Sequence, residues 1–345
     1  MQNNPFEVIE NPEEENLQIK EIGGLMRQLL EKRYGESGNF LRGVHPKSHG
    51  CLKAKFEILD DIDEGMRVGL FEHVGKSYDA LVRFSNADAL VQPDLKDGEN
   101  GSRGMAIKVL QVEGDVLNQD SGQSSQDFLM INTPQFAFAN IPDYLKLQKV
   151  LLEFDDSPGP FFAPLQSPPP SDPSELAAFM RVKQSFDVVS LIKTIAVANP
   201  LEVPYFGAAP FLFGSDRVMR VSASPVVHPE QVLPENPGEN YLREAITKTM
   251  AQAEDVVFEF RIQVRNAGEE ELHIEDATKD WSVDSFPPKT VARLTIPAPQ
   301  TEFLNCEKRF FTPWHSLVEH QPLGGINRLR KAVYIASARK RNAIK

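Results

Sequence analysis

The chain reaches its last helix through Phe310-Phe311-Thr312-Pro313-Trp314-His315-Ser316-Leu317 and then Pro322-Leu323-Gly324-Gly325. The next segment, Ile326 to Arg341, reads as a helix on which Arg330 precedes Tyr334 by four residues. At that spacing the two side chains share one face, so a guanidinium can lie beside the phenol oxygen and favour the phenolate, which is a metal ligand. Such pairs are more often ordinary surface packing. The pair therefore predicts a metal site only if the rest of the chain supplies further residues that fit one.

Composition and charge limit the kind of partner that the chain can bind. Of 345 residues, 41% are hydrophobic, which is enough for a sizeable core, and the formal net charge is -12. Phosphate binding needs clustered Lys and Arg, so we expect no nucleic-acid partner. The exception is Asn327 to Lys345, which carries seven basic residues and no acid. This stretch is either a solvated tail or a surface that faces an anionic ligand.

The two cysteines and the N-terminus bear on the cellular compartment. Cys51 and Cys306 lie far apart without a Cys-x-x-Cys pattern, so the sequence predicts neither a disulfide framework nor a thiolate metal site. Met1 to Pro5 lacks the basic and apolar parts of a signal peptide, and no window approaches 18 consecutive apolar residues. We therefore expect a cytoplasmic protein in a reducing compartment, with no integral membrane segment.

Hydrophobic periodicity predicts strands, then helices, then strands and a last helix. Residues 1–20 are acidic and are predicted to form a flexible arm, with order beginning at a helix from Ile22 to Tyr34. The predicted strands are Lys53 to Leu59, Ala80 to Phe84, Gly104 to Val112, Phe128 to Ile131, Val218 to Ser224, Val256 to Val264 and Val291 to Ile296. Further predicted helices are Ile141 to Phe154, one capped by Asp172, Val188 to Ala198, and Tyr241 to Glu254. The proline-rich connector Asp156 to Pro173 is expected to be neither helix nor central strand. This order favours an α+β fold with mostly antiparallel pairing.

Several polar residues stand in or beside the predicted strands. Arg83 and Ser85 flank Phe84, so strand alternation places both on the side opposite Phe84. Asn132 ends the apolar run that begins at Phe128. Taken singly, each is more often a turn or capping residue. His45, with His49 and Cys51 close by, could belong to a partial metal site, although a histidine in a loop is more often structural.

Taken in order, these segments resemble the haem catalase family. The matching motifs are Arg42-x-x-His45-Pro46-Lys47, Val82-Arg83-Phe84-Ser85, Arg103-Gly104-Met105-Ala106-Ile107-Lys108, Asn132-Thr133-Pro134, and Arg330-x-x-x-Tyr334 with Arg341 beyond it. The approach to the last helix is most similar to the small catalase-related haem proteins, which include peroxidases and enzymes that convert fatty-acid hydroperoxides. The chain is short for a typical catalase. The resemblance implies an antiparallel catalase-like β-barrel core with surrounding helices and a C-terminal haem-ligand helix, in a single domain over residues 21–345.

The resemblance also implies a cofactor and a role for each site residue. The cofactor would be ferric haem b, with Tyr334 as the proximal iron ligand supported by Arg330. His45 would be the distal acid and base, Ser85 would orient its ring, and Asn132 would donate a hydrogen bond to the peroxide. The remaining cofactor-binding residues would be Arg42, Arg83 and Arg341, which pair with the haem propionates, together with Val44 and Phe136.

The implied reaction is the cleavage of hydrogen peroxide or of an organic hydroperoxide. Val44, which precedes His45 as in true catalases, favours catalatic or peroxidatic cleavage over isomerisation. The alternatives are a fatty-acid hydroperoxide isomerase or dehydratase, and an inactive haem-binding barrel. Family analogy suggests a homodimer or a homotetramer.

Overall fold

Antiparallel strands form one sheet in the computed structural model, which describes residues 6–35, 39–117, 124–266, 269 and 272–344. The strands are β1 (Ser48–Ile58), β2 (Ser77–Asn86), β3 (Arg103–Leu110), β4 (Ser125–Ile131), β5 (Tyr205–Gly207), β6 (Phe211–Phe213), β7 (Arg217–Pro225), β8 (Val256–Asn266) and β9 (Lys289–Ile296). Their order is β5-β4-β3-β2-β1-β9-β8-β7-β6, and a pairing between β5 and β7 closes an eight-stranded ring to which β6 is attached. The predicted α+β fold with an antiparallel barrel core is therefore confirmed.

The interior of the barrel is filled with aromatic side chains. Phe56, Phe84, Phe128 and Phe260 are completely buried, and the rings of Phe128 and Phe260 lie 4.6 Å apart. Full burial of such a side chain stabilises the fold by about 1.5–3 kcal/mol, so these rings dominate the core. Because side chains alternate along a strand, polar groups at the intervening positions point outwards. A functional site built from these strands must lie on the outer face of the barrel.

The described part of the chain contains five α-helices. They are α1 (Pro12–Tyr34), α2 (Ile141–Glu153), α3 (Pro173–Thr194), α4 (Tyr241–Met250) and α5 (Gly325–Lys340), with 3-10 turns at Glu64–Met66, Gly69–Glu72, Gly159–Gln166, Pro200–Glu202 and Val318–His320. Helices α1, α2 and α5 share one hydrophobic cluster that includes Met26, Leu145 and Leu329. In the described part of the chain, none of these helices has the length and hydropathy needed to cross a bilayer.

The stretch Phe310 to Leu317 is an extended connection that attaches α5 to the barrel. Asp127 on β4 accepts hydrogen bonds from Lys108 at 2.7 Å and from the backbone N–H of Thr312 at 3.1 Å. Further along, the indole N–H of Trp314 donates to the carbonyl oxygen of Asn327, in the first turn of α5, at 2.7 Å. The position of α5 on the barrel is thus fixed by buried hydrogen bonds and not by helix packing alone.

Some predicted elements differ from those in the structure. Helix α1 begins at Pro12 and not at Ile22, because Asn11 caps it by accepting from the backbone N–H of Glu14 at 3.2 Å. Val188 to Ala198 is not a separate buried helix: α3 continues to Thr194, and Leu191 is 45% exposed. The proline-rich connector contains the 3-10 turn at Gly159–Gln166, which proline tolerates better than an α-helix interior.

The prediction that Cys51 and Cys306 are separate was also wrong. Their Sγ atoms are bonded at 1.98 Å across 255 residues of sequence. The backbone N–H of Leu304 donates to the carbonyl oxygen of Cys51 at 2.8 Å, so the segment before α5 runs alongside β1. Sequence spacing could not show this contact, because it depends on the pairing of β1 with β9, which are distant along the chain.

Candidate active site

His45 lies in the loop between α1 and β1, against the outer face of the barrel. Its φ of 59° is in the left-handed region, and its backbone N–H donates to the carbonyl oxygen of Asp88 at 3.0 Å. Its Nδ1 lies 3.0 Å from the hydroxyl oxygen of Ser85 on β2. When Nδ1 carries the proton and donates it to Ser85, Nε2 is left as an unprotonated base.

Gly104 on β3 allows the imidazole to lie this close to the sheet. A Cβ atom at Gly104 would be 2.5 Å from Nδ1 and 2.6 Å from Cε1 of His45. Gly104 pairs with Ser85 across β2 and β3. The imidazole of His45 can therefore lie over Gly104 while its Nδ1 forms a hydrogen bond with Ser85. Any side chain at this position would displace the ring.

The environment of His45 keeps its imidazole neutral. Desolvation first, and then the positive charges of Arg83, Arg330 and Arg42, lower the pKa of His45 to about 3. The ring is therefore unprotonated at neutral pH and can accept a proton. The effect of Arg330 also shows that α5 faces this loop, as does the hydrogen bond from the backbone N–H of Gly43 to Ser337 Oγ at 3.0 Å.

Tyr334 and Arg330 form the predicted pair on α5. Arg330 Nη2 lies 3.3 Å from the phenol oxygen of Tyr334, and Arg330 Nη1 donates to Asn327 Oδ1 at 3.1 Å. Asn327 is itself fixed, because its amide donates to the carbonyl oxygen of Pro210 at 3.0 Å. The guanidinium is thus held in place beside the phenol oxygen of Tyr334.

Three arginines from three elements converge on the turn formed by residues 306–309. Arg42 donates to the carbonyl oxygen of Cys306 at 2.7 Å, and Arg83 donates to Glu307 Oε1 at 3.1 Å and to the carbonyl oxygen of His45 at 2.9 Å. Arg341, at the end of α5, donates to the carbonyl oxygen of Glu307. One cluster thereby connects the His45 loop with the Tyr334 helix.

This arginine cluster (Arg42, Arg83, Arg341 and Glu307) has an excess of positive charge. Three guanidinium groups face one carboxylate, so the four side chains carry a net charge of 3 − 1 = +2. Burial, and the repulsion of the other arginines, hold the pKa of Arg42 well below its usual range and lower the pKa of Arg341 to about 10. Nε of Arg42, Nε of Arg341 and Oε2 of Glu307 are buried without a hydrogen-bond partner. Arg42 Nε and Glu307 Oε2 lie 3.6 Å apart as an ion pair, so the features that fit the two propionates of a haem are the excess positive charge and the unpartnered Nε donor of Arg341.

Asn132 lies just beyond the end of β4. Its Oδ1 accepts from the backbone N–H of Arg103 at 2.8 Å, whereas its Nδ2 is buried without a partner. Strand register places Ile131 and not Asn132 opposite Gly104, in the row that runs from Ser85 through Gly104. Opposite residues in an antiparallel pair share one face of the sheet. Ile131 is therefore the β4 residue that lies in the same row as Ser85 and Gly104, beside the His45 ring.

The two rows of that outer face nearest His45 carry apolar residues on β3, β4 and β5, whereas the row beyond them carries Lys108 and Asp127. Ala106 and Leu129 lie in the same row as Arg83, next to the row of Ser85 and Gly104. In the latter row, Ile131 pairs with Phe206 on β5. All four apolar residues are half-buried, whereas inward-facing neighbours such as Phe128 are completely buried. The wall beside His45 is thus hydrophobic and partly accessible.

The remaining predicted positions fall near these groups, apart from the partial metal site. Val44 precedes His45 and is half-buried, and Phe136 packs on the same α1/α2/α5 cluster as Tyr334. His49 lies in β1, where its Nε2 is 2.8 Å from Asn86 Oδ1, and Cys51 is consumed in the disulfide. The described residues contain no group of three or more His, Cys, Asp or Glu that could hold a metal ion. The alternative of a site made by His45, His49 and Cys51 is therefore rejected.

The sequence alone did not identify Glu307 and Ile131. Glu307 lies in a turn without regular structure, and two of the arginines that it contacts, Arg42 and Arg83, are more than 200 residues away along the chain. Ile131 looks like any apolar strand residue, and only the register of β3 and β4 reveals its position. The sequence predicts a role for the adjacent Asn132 because it is a polar residue at the end of an apolar run.

Comparisons with known proteins find similarity at the level of structure only. No family model matches the chain, and a search of curated proteins finds no similar sequence. Among solved structures, a fungal catalase matches with a TM-score of 0.64 and 18% identity over 88% of this chain, and a bacterial catalase with 0.64 and 16% over 99%. Catalase A from Saccharomyces cerevisiae matches with 0.64 and 15% over 88%. The chain has a catalase-like fold.

This chain matches only part of the length of each of those catalases. The matches cover 60%, 62% and 61% of the three catalases, so the chain spans about three fifths of their length. At 15–18% sequence identity, these structural matches show the fold and leave the activity open. The chemistry must therefore be argued from the residues described above.

Proposed function

We propose that the chain is a haem-dependent, peroxide-metabolising enzyme of the catalase or peroxidase type that acts on hydrogen peroxide or organic hydroperoxides. The observation that carries this proposal is the arginine cluster, because it joins the His45 loop to the Tyr334 helix and has two positive charges in excess. A bound ferric haem would supply the redox centre at which the O–O bond is cleaved.

The residues of α5 and the arginine cluster would hold this cofactor. Tyr334 would ligate the iron as a phenolate, with Arg330 stabilising the negative charge on its oxygen. Arg42, Arg83 and Arg341 would pair with the propionates, which would bring the net charge of the cluster from +2 to 0. Val44 and Phe136 would pack against the cofactor.

His45 would move the proton. Its neutral Nε2 would accept a proton from the peroxide and return it to the oxygen that leaves as water or an alcohol. Ser85 would keep Nδ1 protonated and the ring in one orientation throughout. Asn132, whose Nδ2 has no partner, would donate a hydrogen bond to the peroxide if its amide turned towards His45.

The apolar wall beside His45 favours organic hydroperoxides over hydrogen peroxide. Ile131, Leu129 and Phe206 offer hydrophobic contact to an alkyl or acyl group and no hydrogen bond to a second hydroxyl. This same wall is the observation that supports the second candidate, a fatty-acid hydroperoxide isomerase or dehydratase. The cytoplasmic location and the homodimeric or homotetrameric state stay predictions, and the disulfide is of a kind that is rare in reducing compartments.

The absorption spectrum of protein produced with a supply of haem tests the proposal. We expect a Soret band with high-spin ferric features, and its loss or displacement in Tyr334→Phe. Tyr144→Phe is the matched control, because Tyr144 packs on the same cluster but is not the proposed ligand. A protein that folds and takes up no haem would contradict the proposal, and so would an identical spectrum for Tyr334→Phe.

Substrate assays on the haem-loaded protein separate the reactions. Oxygen release from hydrogen peroxide indicates a catalase, oxidation of a dye indicates a peroxidase, and a rearranged lipid hydroperoxide indicates an isomerase. His45→Ala should keep the haem and lower the rate of whichever reaction occurs by about 10²–10⁴-fold. Haem without any of the three reactions would leave the inactive haem-binding barrel as the explanation.

A further inference from the structure

Helix α3 carries apolar side chains on two opposite faces. Of its 22 residues, only Val182, Ser185 and Val188 are buried, and they lie on one side. Leu176, Met180 and Leu191 are 36%, 50% and 45% exposed. At about 100° per residue, these three fall within about 60° of one another, on the side opposite Ser185. A helix on the surface of a monomer usually carries polar or charged residues at such positions.

The same exposed face carries one ion pair at its centre. Lys183 Nζ lies 2.6 Å from Asp187 Oδ2, and the two side chains are 49% and 56% exposed. The face therefore reads Leu176, Met180, Lys183, Asp187, Leu191, with steps of four, three, four and four residues. Steps of three and four are those of a helix that packs along another helix.

We propose that this face of α3 is the contact surface between two copies of the chain, which pack their α3 helices antiparallel about a two-fold axis. The axis would pass midway between Lys183 and Asp187. Each Lys183 would then face the other copy's Asp187, and each Met180 would lie beside the other copy's Leu191. A parallel two-fold pairing would instead place Lys183 on Lys183 and Asp187 on Asp187. Only the antiparallel pairing makes the charges complementary.

The charge pattern identifies a second copy as the partner. An isologous interface must be complementary to itself, and this face is, because its lysine and aspartate lie on either side of its centre. The face is also locally neutral, although the whole chain carries -12. Two copies can therefore meet here with less repulsion than over most of their acidic surface.

Charge exchange tests the arrangement in the full-length protein. Light scattering after gel filtration should give a mass of about twice 38.7 kDa for the unchanged chain. Lys183→Asp and Asp187→Lys should each weaken association by about tenfold or more, because like charges then meet twice across the axis. An equimolar mixture of the two variants should restore the dimer, since one copy is acidic at both positions and the other is basic at both.

The controls separate this interface from a folding defect and from other interfaces. Lys149→Asp changes a comparably exposed lysine on α2 and should leave the association unchanged. Circular dichroism of each variant should match that of the unchanged chain, since an exposed i, i+4 pair contributes only about 0.3–0.5 kcal/mol. A monomeric parent protein would overturn the proposal. So would a dimer that neither charge change weakens, or a mixture that fails to reassociate.

Discussion

The imidazole of His45 is fixed by its own backbone, by Ser85 and by Gly104. A histidine in the left-handed region costs about 1–3 kcal/mol, so the loop keeps this conformation only because the surrounding contacts enforce it. The hydrogen bond to Ser85 fixes the direction of the ring, and the missing side chain at Gly104 sets its height above the sheet. These contacts hold the ring in one position, as proton transfer requires.

Gly104→Ala should lower the proposed activity without preventing the proposed binding of haem. The new methyl group would overlap the ring, with 2.5 Å to Nδ1, and would also lie 3.0 Å from Ser85 Oγ. We expect the rate to fall by about 10²-fold, because a displacement of about 1 Å in a catalytic group has that effect. The measurements are the turnover rate and the haem spectrum of the same preparation.

Gly24→Ala is the matched control for that variant. Gly24 lies in α1, and a Cβ atom there would meet nothing within 4 Å. This change should leave the activity intact and stabilise the helix by about 0.8–1 kcal/mol. Full activity in Gly104→Ala would show that the His45 ring need not lie over Gly104.

Ile131→Asn should shift the preference towards hydrogen peroxide. An amide on the face of the His45 ring would donate a hydrogen bond to a small peroxide and would remove an apolar contact for a large one. We expect the ratio of kcat/KM for hydrogen peroxide to that for cumene hydroperoxide to rise about tenfold, equivalent to about 1.4 kcal/mol. Ile131→Val, which stays apolar, should leave the ratio close to that of the parent, and an unchanged ratio in Ile131→Asn would place the substrate elsewhere.

At the level of elements, the turn at residues 306–309 joins the barrel to α5. The Cys51–Cys306 disulfide attaches the turn to β1, and Arg42 and Arg341 bind its carbonyl groups. Glu307 then supplies the one carboxylate within the arginine cluster. The covalent link between this turn and β1 therefore also places the charge that partly neutralises the proposed propionate site.

Loss of the disulfide should destabilise the chain and make it insensitive to reductant. Cys306→Ser would free a closed loop of 255 residues in the unfolded chain, and removal of a native disulfide typically costs about 2–5 kcal/mol. We expect the midpoint of urea denaturation to fall by the corresponding amount. The parent protein should show the same fall when a reductant is added, whereas Cys306→Ser should show none; equal midpoints with and without reductant in the parent would mean that the bond is absent in solution.

The elements that sequence reasoning found are those with strong local signals. The strand around Arg83 and the helix capped by Asp172 follow from alternation and from a side chain that accepts the backbone N–H groups of the first turn. The three-residue strands β5 and β6 are too short for a periodic pattern, and each is defined by its pairing, β5 with β4 and β7, and β6 with β7. The disulfide, Glu307 and Ile131 depend likewise on contacts that form only in the closed barrel.

Across the whole molecule, buried histidines couple the fold to pH. The pKa of His49 and of His320 is lowered to about 4 in each case, mainly by burial, and that of His45 to about 3. For His49 the charge of Asp94 partly opposes the effect of burial. His320 Nε2 accepts from the backbone N–H of Leu70 at 3.1 Å, which requires that nitrogen to be unprotonated. The folded chain therefore holds these rings neutral where the unfolded chain would protonate them.

Stability should fall as the pH drops from about 6.5 towards 4. Because these pKa values are lowered on folding, the stabilisation is complete above the ordinary pKa of histidine, and each ring costs about 1.4 kcal/mol per pH unit below it. Urea denaturation across that range should show uptake of two to three protons on unfolding, assigned to His45, His49 and His320. His320→Gln keeps an acceptor for Leu70 but cannot titrate, so its uptake should be smaller by about one proton. A free energy of unfolding that stays constant over this range would show that the three rings take up protons equally in the folded and unfolded chains.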